Sequence, residues 1–339
     1  MSFDRTLEKK GIMADLTTTY MGLELRNPLV VSSSGLTKDL DGVRRCADAG
    51  AGAVVLKSLF EEQVIGEMQN QKQYASAAWH PEALDYVEGM GIGIGPREYL
   101  EVIREAKKAV SIPVIASLNC VSREVWTGYA KRLASEGADG IELNLAVMPS
   151  DPKRTTDEIE KMYLDALADV TSKVDVPIAV KIGPYFTSVS RMALAFSRRG
   201  VKALVLFNRF YQIDIDIEKM ELSSGITLSS PKEMNLPLRW ISLLSGRVEC
   251  DLAASTGIHD ERAVVKMLLA GATVTQLCST LYLNGVEHIG KILSGVEEWM
   301  KGHGIESVGA IRGKLSSLNS TDPELYERIQ YIKALVGVE

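Results

Sequence analysis

Four short phrases constrain this chain more than any other feature. They are "AGAGAVVL" at 49–56, "EGADGIEL" at 136–143, "RRGVKALVL" at 198–206 and "LAGATVTQL" at 269–277. Each places a glycine where a helix would stop and then enters an apolar strand within a few residues. Eight strand candidates occur along the chain: Pro28–Ser34, Ala53–Ser58, Pro113–Leu118, Gly140–Ala146, Pro177–Ile182, Ala203–Arg209, Cys250–Thr256 and Thr273–Ser279. Helix-like segments alternate with them near 38–49, 96–110, 122–136, 155–173, 188–199, 231–246, 260–270 and 284–302. Strands buried on both faces are nearly continuous in apolar residues, as these are. The spacing predicts a closed (β/α)8 TIM barrel, an α/β fold. An open doubly wound sheet is the alternative, but no GxGxxG follows the first strand.

Two connections exceed ordinary loops. Residues 59–95, containing "MGIGIGP", follow strand two, and residues 210–230, containing most of "SSGITLSSP", follow strand six. Both leave C-terminal strand ends, where barrel enzymes build their sites, so they read as insertions that wall a site. The expected organisation is an N-terminal extension at 1–15, a barrel at 16–319 and a C-terminal helical tail at 320–339.

A net charge of −6 argues against a nucleic-acid surface and against a polybasic membrane anchor. The longest apolar runs are strand-sized, below the ~20 residues that a membrane span needs. The polar start "MSFDRTLEKKGI" lacks the apolar core of a signal peptide. Cys46, Cys120, Cys250 and Cys278 are too dispersed for a CxxC pair, which suggests reduced core thiols in a cytoplasmic protein. No histidine pair has metal-ligand spacing, and no metal is expected.

Function is expected at the C-terminal rim. The first strand ends in Ser32, Ser33, Ser34 and Gly35, and the second in Lys57 and Ser58. The third ends in Asn119, the fourth carries Asn144, the fifth Lys181 and the sixth Asn208. The seventh ends in Ser255, Thr256 and Gly257, and the eighth in Cys278 and Ser279. Lysine is depleted in strands and seldom buried unpaired, so two of them beside three asparagines point to a ligand. Lysines suit an electron-rich planar group, and asparagines pair with a heteroaromatic edge. The small, hydroxyl-rich seventh and eighth ends suit a phosphate. FMN satisfies both halves.

With those residues in hand, the chain resembles the dihydroorotate dehydrogenase family, particularly its soluble class, from about Leu16 to Leu318. The resemblance is carried by "MGLELRNPLVVSSSG", "AGAVVLKS", "GIELNLA", "PIAVKIGPYF" and "LAGATVTQLCSTLYLNG" in that order and spacing. It implies that Ser34, Gly35 and Ser58 line a flavin and that Lys57 serves flavin and substrate. Asn119 and Asn144 would hydrogen-bond the ring, Asn144 also lying near the substrate, and Lys181 would face its N1/O2 edge. Gly225, Ser255, Thr256, Gly257, Cys278 and Ser279 would surround the phosphate. Met90, Gly91 and Asn208 would contact the substrate. The implied chemistry removes a proton from substrate C5 and a hydride from C6, with the hydride passing to flavin N5. A separate oxidant then takes the electrons, either a small molecule or a partner subunit. A homodimer is also implied.

The chain departs from the family at several substrate positions, above all in one loop. The family phrase Asn-Leu-Ser-Cys-Pro-Asn, whose Cys or Ser is the base, aligns with Asn144, Leu145, Ala146, Val147, Met148 and Pro149. Valine cannot accept a proton. Glu88 stands where a substrate asparagine is usual, and Arg209 where a small hydroxyl is common. Base candidates are Ser150, if the loop shifts by its "SDP", and Glu88, a carboxylate whose pKa would rise in a dry site. Cys120 is a third. The function expected is oxidation of dihydroorotate or a related dihydropyrimidine. The alternatives are a homologue acting on another planar substrate, one that binds flavin without activity, or a Schiff-base lyase using Lys57 or Lys181.

Overall fold

The computed structural model describes residues 14–61, 63, 96–119, 123–145, 150–209, 213–224, 228–321 and 323–326. Eight parallel strands close into a barrel. They are β3 (Leu29–Val31), β4 (Ala53–Val55), β6 (Val114–Asn119), β7 (Gly140–Leu145), β8 (Ile178–Ile182), β9 (Ala203–Leu206), β12 (Asp251–Ser255) and β13 (Val274–Leu277). Each pairs with the next in that order, and β13 pairs with β3 to complete the ring. The short β5 (Leu59–Phe60) extends the rim by pairing with Leu118 and Asn119.

Helices fill the connections: α1 (Leu40–Asp48), α2 (Pro96–Ala109), α3 (Arg123–Ser135), α4 (Thr156–Thr171), α5 (Val189–Ser197), α6 (Asn235–Leu244) and α7 (Glu261–Ala270). A short α8 (Ser279–Asn284) and the longer α9 (His288–Gly302) follow β13. Side-chain caps start several of them. Asp39 accepts from Gly42 N–H, Thr155 and Glu158 form a capping box, and Asp260 accepts from Ala263 N–H. The four repeated phrases close helices as expected: Gly50, Gly137, Gly200 and Gly271 all have positive φ.

Strand alternation builds two cores. Ile141, Leu143 and Leu145 of β7, with Ile178, Val180 and Ile182 of β8, pack in the shell between strands and helices. A smaller cluster of Val30, Ala53, Val55, Ile115, Ala179, Ala203, Val205, Ala253 and Val274 fills the lumen. It includes Tyr20 and Met21 from an antiparallel hairpin of β1 (Thr18–Tyr20) and β2 (Leu23–Leu25). The sequence reading did not anticipate this hairpin. It closes the barrel bottom, and small lumen side chains leave room for its tyrosine.

Three rim differences matter. The second strand ends at Val55, so Lys57 lies just beyond it. The sixth ends at Leu206, leaving Asn208 in the following turn. The connection after β9 contains a hairpin of β10 (Ile213–Asp216) and β11 (Glu221–Ser224).

Candidate functional site

Register sets the depth of the site. Asn144 pairs with Lys181, and Asn119 follows the Leu118–Leu143 pair, so the three stand level on adjacent strands. Asn208 Nδ2–H donates to Asn144 Oδ1 at 2.9 Å. The anticipated asparagines of strands four and six therefore meet. Lys57 is half-buried, and its ammonium has no hydrogen bond or ion pair among the described residues. Ser58 joins a hydroxyl chain, 3.0 Å from Ser33 Oγ and 2.7 Å from Ser117 Oγ.

Below the rim lies a polar layer that spans the lumen. Lys181 Nζ donates to Ser32 Oγ at 3.0 Å and to Gln276 Oε1 at 3.1 Å. Ser32 Oγ in turn donates to Gln276 Oε1 at 3.0 Å. Gln276 Nε2–H donates to Glu142 Oε2 at 2.6 Å, and Glu142 Oε1 lies 3.7 Å from Lys181 Nζ. In the ring order β8 is opposite β3, and β7 is opposite β13. The contacts thus run across the barrel, which is possible only for inward side chains. Lys181 is 7% exposed and Glu142 1%. A charge at that depth persists only when paired, and this one is.

The seventh and eighth strand ends converge. Thr256 and Gly257 are both left-handed, with φ of +79° and +76°. A Cβ on Gly257 would stand 2.3 Å from Met234 N, so only glycine fits there. Gly257 N–H reaches Ser229 Oγ at 3.3 Å, and Ser229 N–H donates to Ser279 Oγ at 2.9 Å. Ser229, from the end of "SSGITLSSP", thereby joins two residues anticipated around the phosphate. His259 Nε2 lies 3.3 Å from Ser229 Oγ. Burial pushes the Cys278 thiol up, opposed by the Lys181 charge and a Ser34 hydrogen bond. Cys278 and Ser34 thus sit together near Lys181. Ser255 is buried at the end of β12, and Gly35 lies beneath the Tyr282 hydroxyl. Arg209 Nε donates to Glu233 Oε1 at 2.8 Å. Desolvation pushes Glu233 up, but the Ser230 N–H and the Arg209 guanidinium outweigh it and hold the carboxyl below its usual range.

These residues fit FMN. A buried ammonium faces the level of two amide side chains, and hydroxyls and backbone N–H groups cluster at the neighbouring strand ends. A family model described as dihydroorotate dehydrogenase matches residues 15–300. The chain belongs to the dihydroorotate dehydrogenase family. It is 28% identical over 306 residues to "Dihydroorotate dehydrogenase B (NAD(+)), catalytic subunit" of Pyrococcus abyssi, covering 88% of this chain and 98% of that relative. The protein of the same name from Methanothermobacter thermautotrophicus is 28% identical over 315 residues, with coverage of 88% and 97%. That from Thermoplasma acidophilum is 26% identical over 311 residues, with coverage of 87% and 97%.

Several residues anticipated from the dihydroorotate dehydrogenase resemblance lie outside the described residues: Glu88, Met90, Gly91, Gly225, Cys120, Val147 and Pro149. Ser150 is described and stands exposed in the loop before α4, with no hydrogen bond among the described residues. The sequence reading missed Glu142, Gln276, Ser229 and His259 as parts of these networks. For Glu142 a signal existed, because period-two alternation puts it on the same face as Asn144. Gln276 occupies the equivalent face of β13. Among the described residues no cluster could hold a metal ion, and no helix is long and apolar enough to cross a membrane.

Proposed function

We propose that this protein is an FMN-dependent oxidoreductase that oxidises dihydroorotate or a related dihydropyrimidine. The observation that carries the reading is the buried Lys181, paired in register with Asn144 and level with Asn119. When bound, FMN supplies a hydride acceptor that gains negative charge on reduction. Lys181 would hold its N1/O2 edge and offset that charge. Asn119 and Asn144 would orient the ring, with Ser34, Gly35, Lys57, Ser58 and Cys278 lining it. Ser255, Thr256, Gly257, Ser279 and Gly225 would hold the phosphate. Lys57, whose ammonium has no partner among the described residues, would bind the substrate's anionic group. Asn208, held by Asn144, would bind a polar edge, and Met90 and Gly91 would complete that wall.

Proton removal is where this chain differs from its family. Val147 stands at the base position in sequence and has no acid–base chemistry. We assign the role to Ser150 or Glu88, with Lys57 as the cation that would lower the cost of charge separation. Loss of a general base typically slows reaction by ~10²–10⁴-fold. Ser150→Ala and Glu88→Gln, measured by anaerobic flavin bleaching, identify which carries the proton. An unchanged rate in both excludes both residues.

The relatives' names bear on the electron acceptor. Each is called a dihydroorotate dehydrogenase B (NAD(+)) catalytic subunit, which supports a partner chain that reoxidises the flavin. A Schiff-base lyase through Lys181 is disfavoured, because Lys181 Nζ donates to Ser32 and Gln276 inside the lumen, and forming an imine would break those contacts. The decisive test is spectral. The purified protein should show, or gain with added FMN, absorbance near ~450 nm, and dihydroorotate should bleach it without oxygen. A colourless protein that takes up no FMN refutes the proposal. Bound flavin that no dihydropyrimidine bleaches leaves a flavoprotein with another substrate or without activity.

A further inference from the structure

Glu142 is an ionisable group in the lumen for which the proposed reaction has no use. Glu142 lies below the rim, 1% exposed, with Oε1 lacking any hydrogen-bond partner. The geometry points to Glu142 as a positioning residue that sets the reduction potential of the bound flavin through Gln276 and Lys181. This inference rests on the flavin reading above.

An ionised carboxylate only accepts, so Gln276 must turn its amide N–H towards Glu142 Oε2, at 2.6 Å. Its carbonyl is then committed to the other side, where Lys181 Nζ and Ser32 Oγ both donate to it. Reversing the amide would set oxygen against oxygen and nitrogen against nitrogen. Glu142 thereby fixes Gln276, and Gln276 fixes Lys181.

Lys181 has three N–H donors, and two are taken, by Ser32 and Gln276. Glu142 Oε1, at 3.7 Å, is too far to take the third. The carboxylate therefore offsets the ammonium charge without consuming its last donor. That donor stays available to a ligand at the level of Asn144. A ring that gains negative charge would meet an ammonium whose field is partly cancelled from behind. Removing the carboxylate charge exposes the full field and favours the reduced ring. A side chain kept only for packing would have no such effect.

The test uses the FMN-loaded protein and dye-equilibrated reduction potentials for wild type, Glu142→Gln and Glu142→Asp. Glutamine keeps the shape and loses the charge. Its reduction equilibrium should shift towards reduced flavin by about tenfold or more, which is about 30 mV for a two-electron couple. Aspartate keeps the charge but draws it away from Lys181, so its shift should have the same sign and be smaller. A Glu142→Gln potential within about twofold of wild type in equilibrium constant, or shifted the other way, would overturn the assignment. If glutamine does not fold, the aspartate variant decides by the same sign criterion. Failure of both to fold would show that the carboxylate serves the fold alone. Wild-type protein that takes up no FMN is distinguishable from all of these, since it gives no potential to measure, and it removes the flavin reading and this inference together.

Discussion

Lys181→Met should show how strongly the lumen depends on its ion pair. At 3.7 Å and an effective dielectric near 20, the Lys181–Glu142 attraction is about 4 kcal/mol before desolvation is counted. Desolvation offsets most of that in the intact pair, so the pair itself need not stabilise the fold. Removing one partner is different, because Glu142 would remain at 1% exposure with its counter-charge gone. Breaking a buried pair in this way typically costs about 3–5 kcal/mol. Glu142→Gln alone likewise leaves the Lys181 ammonium buried without its counter-charge and should cost a similar amount, about 3–5 kcal/mol. In the double variant, Lys181→Met with Glu142→Gln, no buried charge is left without a partner. Its loss should fall short of the sum of the singles by at least about 2 kcal/mol. Urea unfolding of the FMN-free protein, followed by circular dichroism, measures all three. Additivity within about 0.5 kcal/mol would refute the claim that the two charges answer each other.

Asn208→Ala removes the donor to Asn144 Oδ1. It should raise KM for the dihydropyrimidine about three- to tenfold, the scale of one hydrogen bond, with a smaller change in kcat, read from steady-state kinetics. Gly257→Ala puts a Cβ 2.3 Å from Met234 N at a φ of +76°. It should lower stability by about 2 kcal/mol or more and shorten FMN retention on a desalting column. Burial raises the Cys46 thiol from 9.0 to about 11. The folded state therefore keeps a proton that the unfolded chain releases, so the contribution is full below pH 9 and lost as pH rises towards 11. Cys46→Val should flatten the stability decline in that window by about 1.4 kcal/mol per pH unit, measured by urea titration at several pH values.

The barrel was legible because its determinants are local and repeated. Gly50, Gly137, Gly200 and Gly271 close helices within a few residues of strands, and each strand has an apolar outer row. The β1–β2 hairpin was not legible, because "TTYMGLEL" is too short to show a period and its burial comes from distant strands. Lys181, Asn144 and Asn208 could be picked out because polar residues in apolar strands are conspicuous. What they touch could not be read, since Lys181 meets Ser32 from 149 positions away and Gln276 meets Glu142 from 134.

The period-two parity of β7 also places Glu142. The run Glu142, Leu143, Asn144 alternates faces, so placing Asn144 inside the barrel places Glu142 inside as well, one layer deeper. The pairing of Asn144 with Lys181 then brings that carboxylate close to the lysine on the neighbouring strand. A buried carboxylate so placed must be met by a cation or a donor. Lys181 and Gln276 are those groups. The same parity carries Gln276 inward on β13, next to Thr275, which faces the other way and is buried with no hydrogen-bond partner for its hydroxyl. In sequence, Val147 stands where the family's base is expected, while the Lys181–Glu142 charge pair on the strands is complete. Loss of the usual base would be compatible with an intact flavin floor, because Glu142 belongs to the strand and position 147 follows it in sequence. A substrate change therefore requires no change in the groups proposed to hold and tune the flavin.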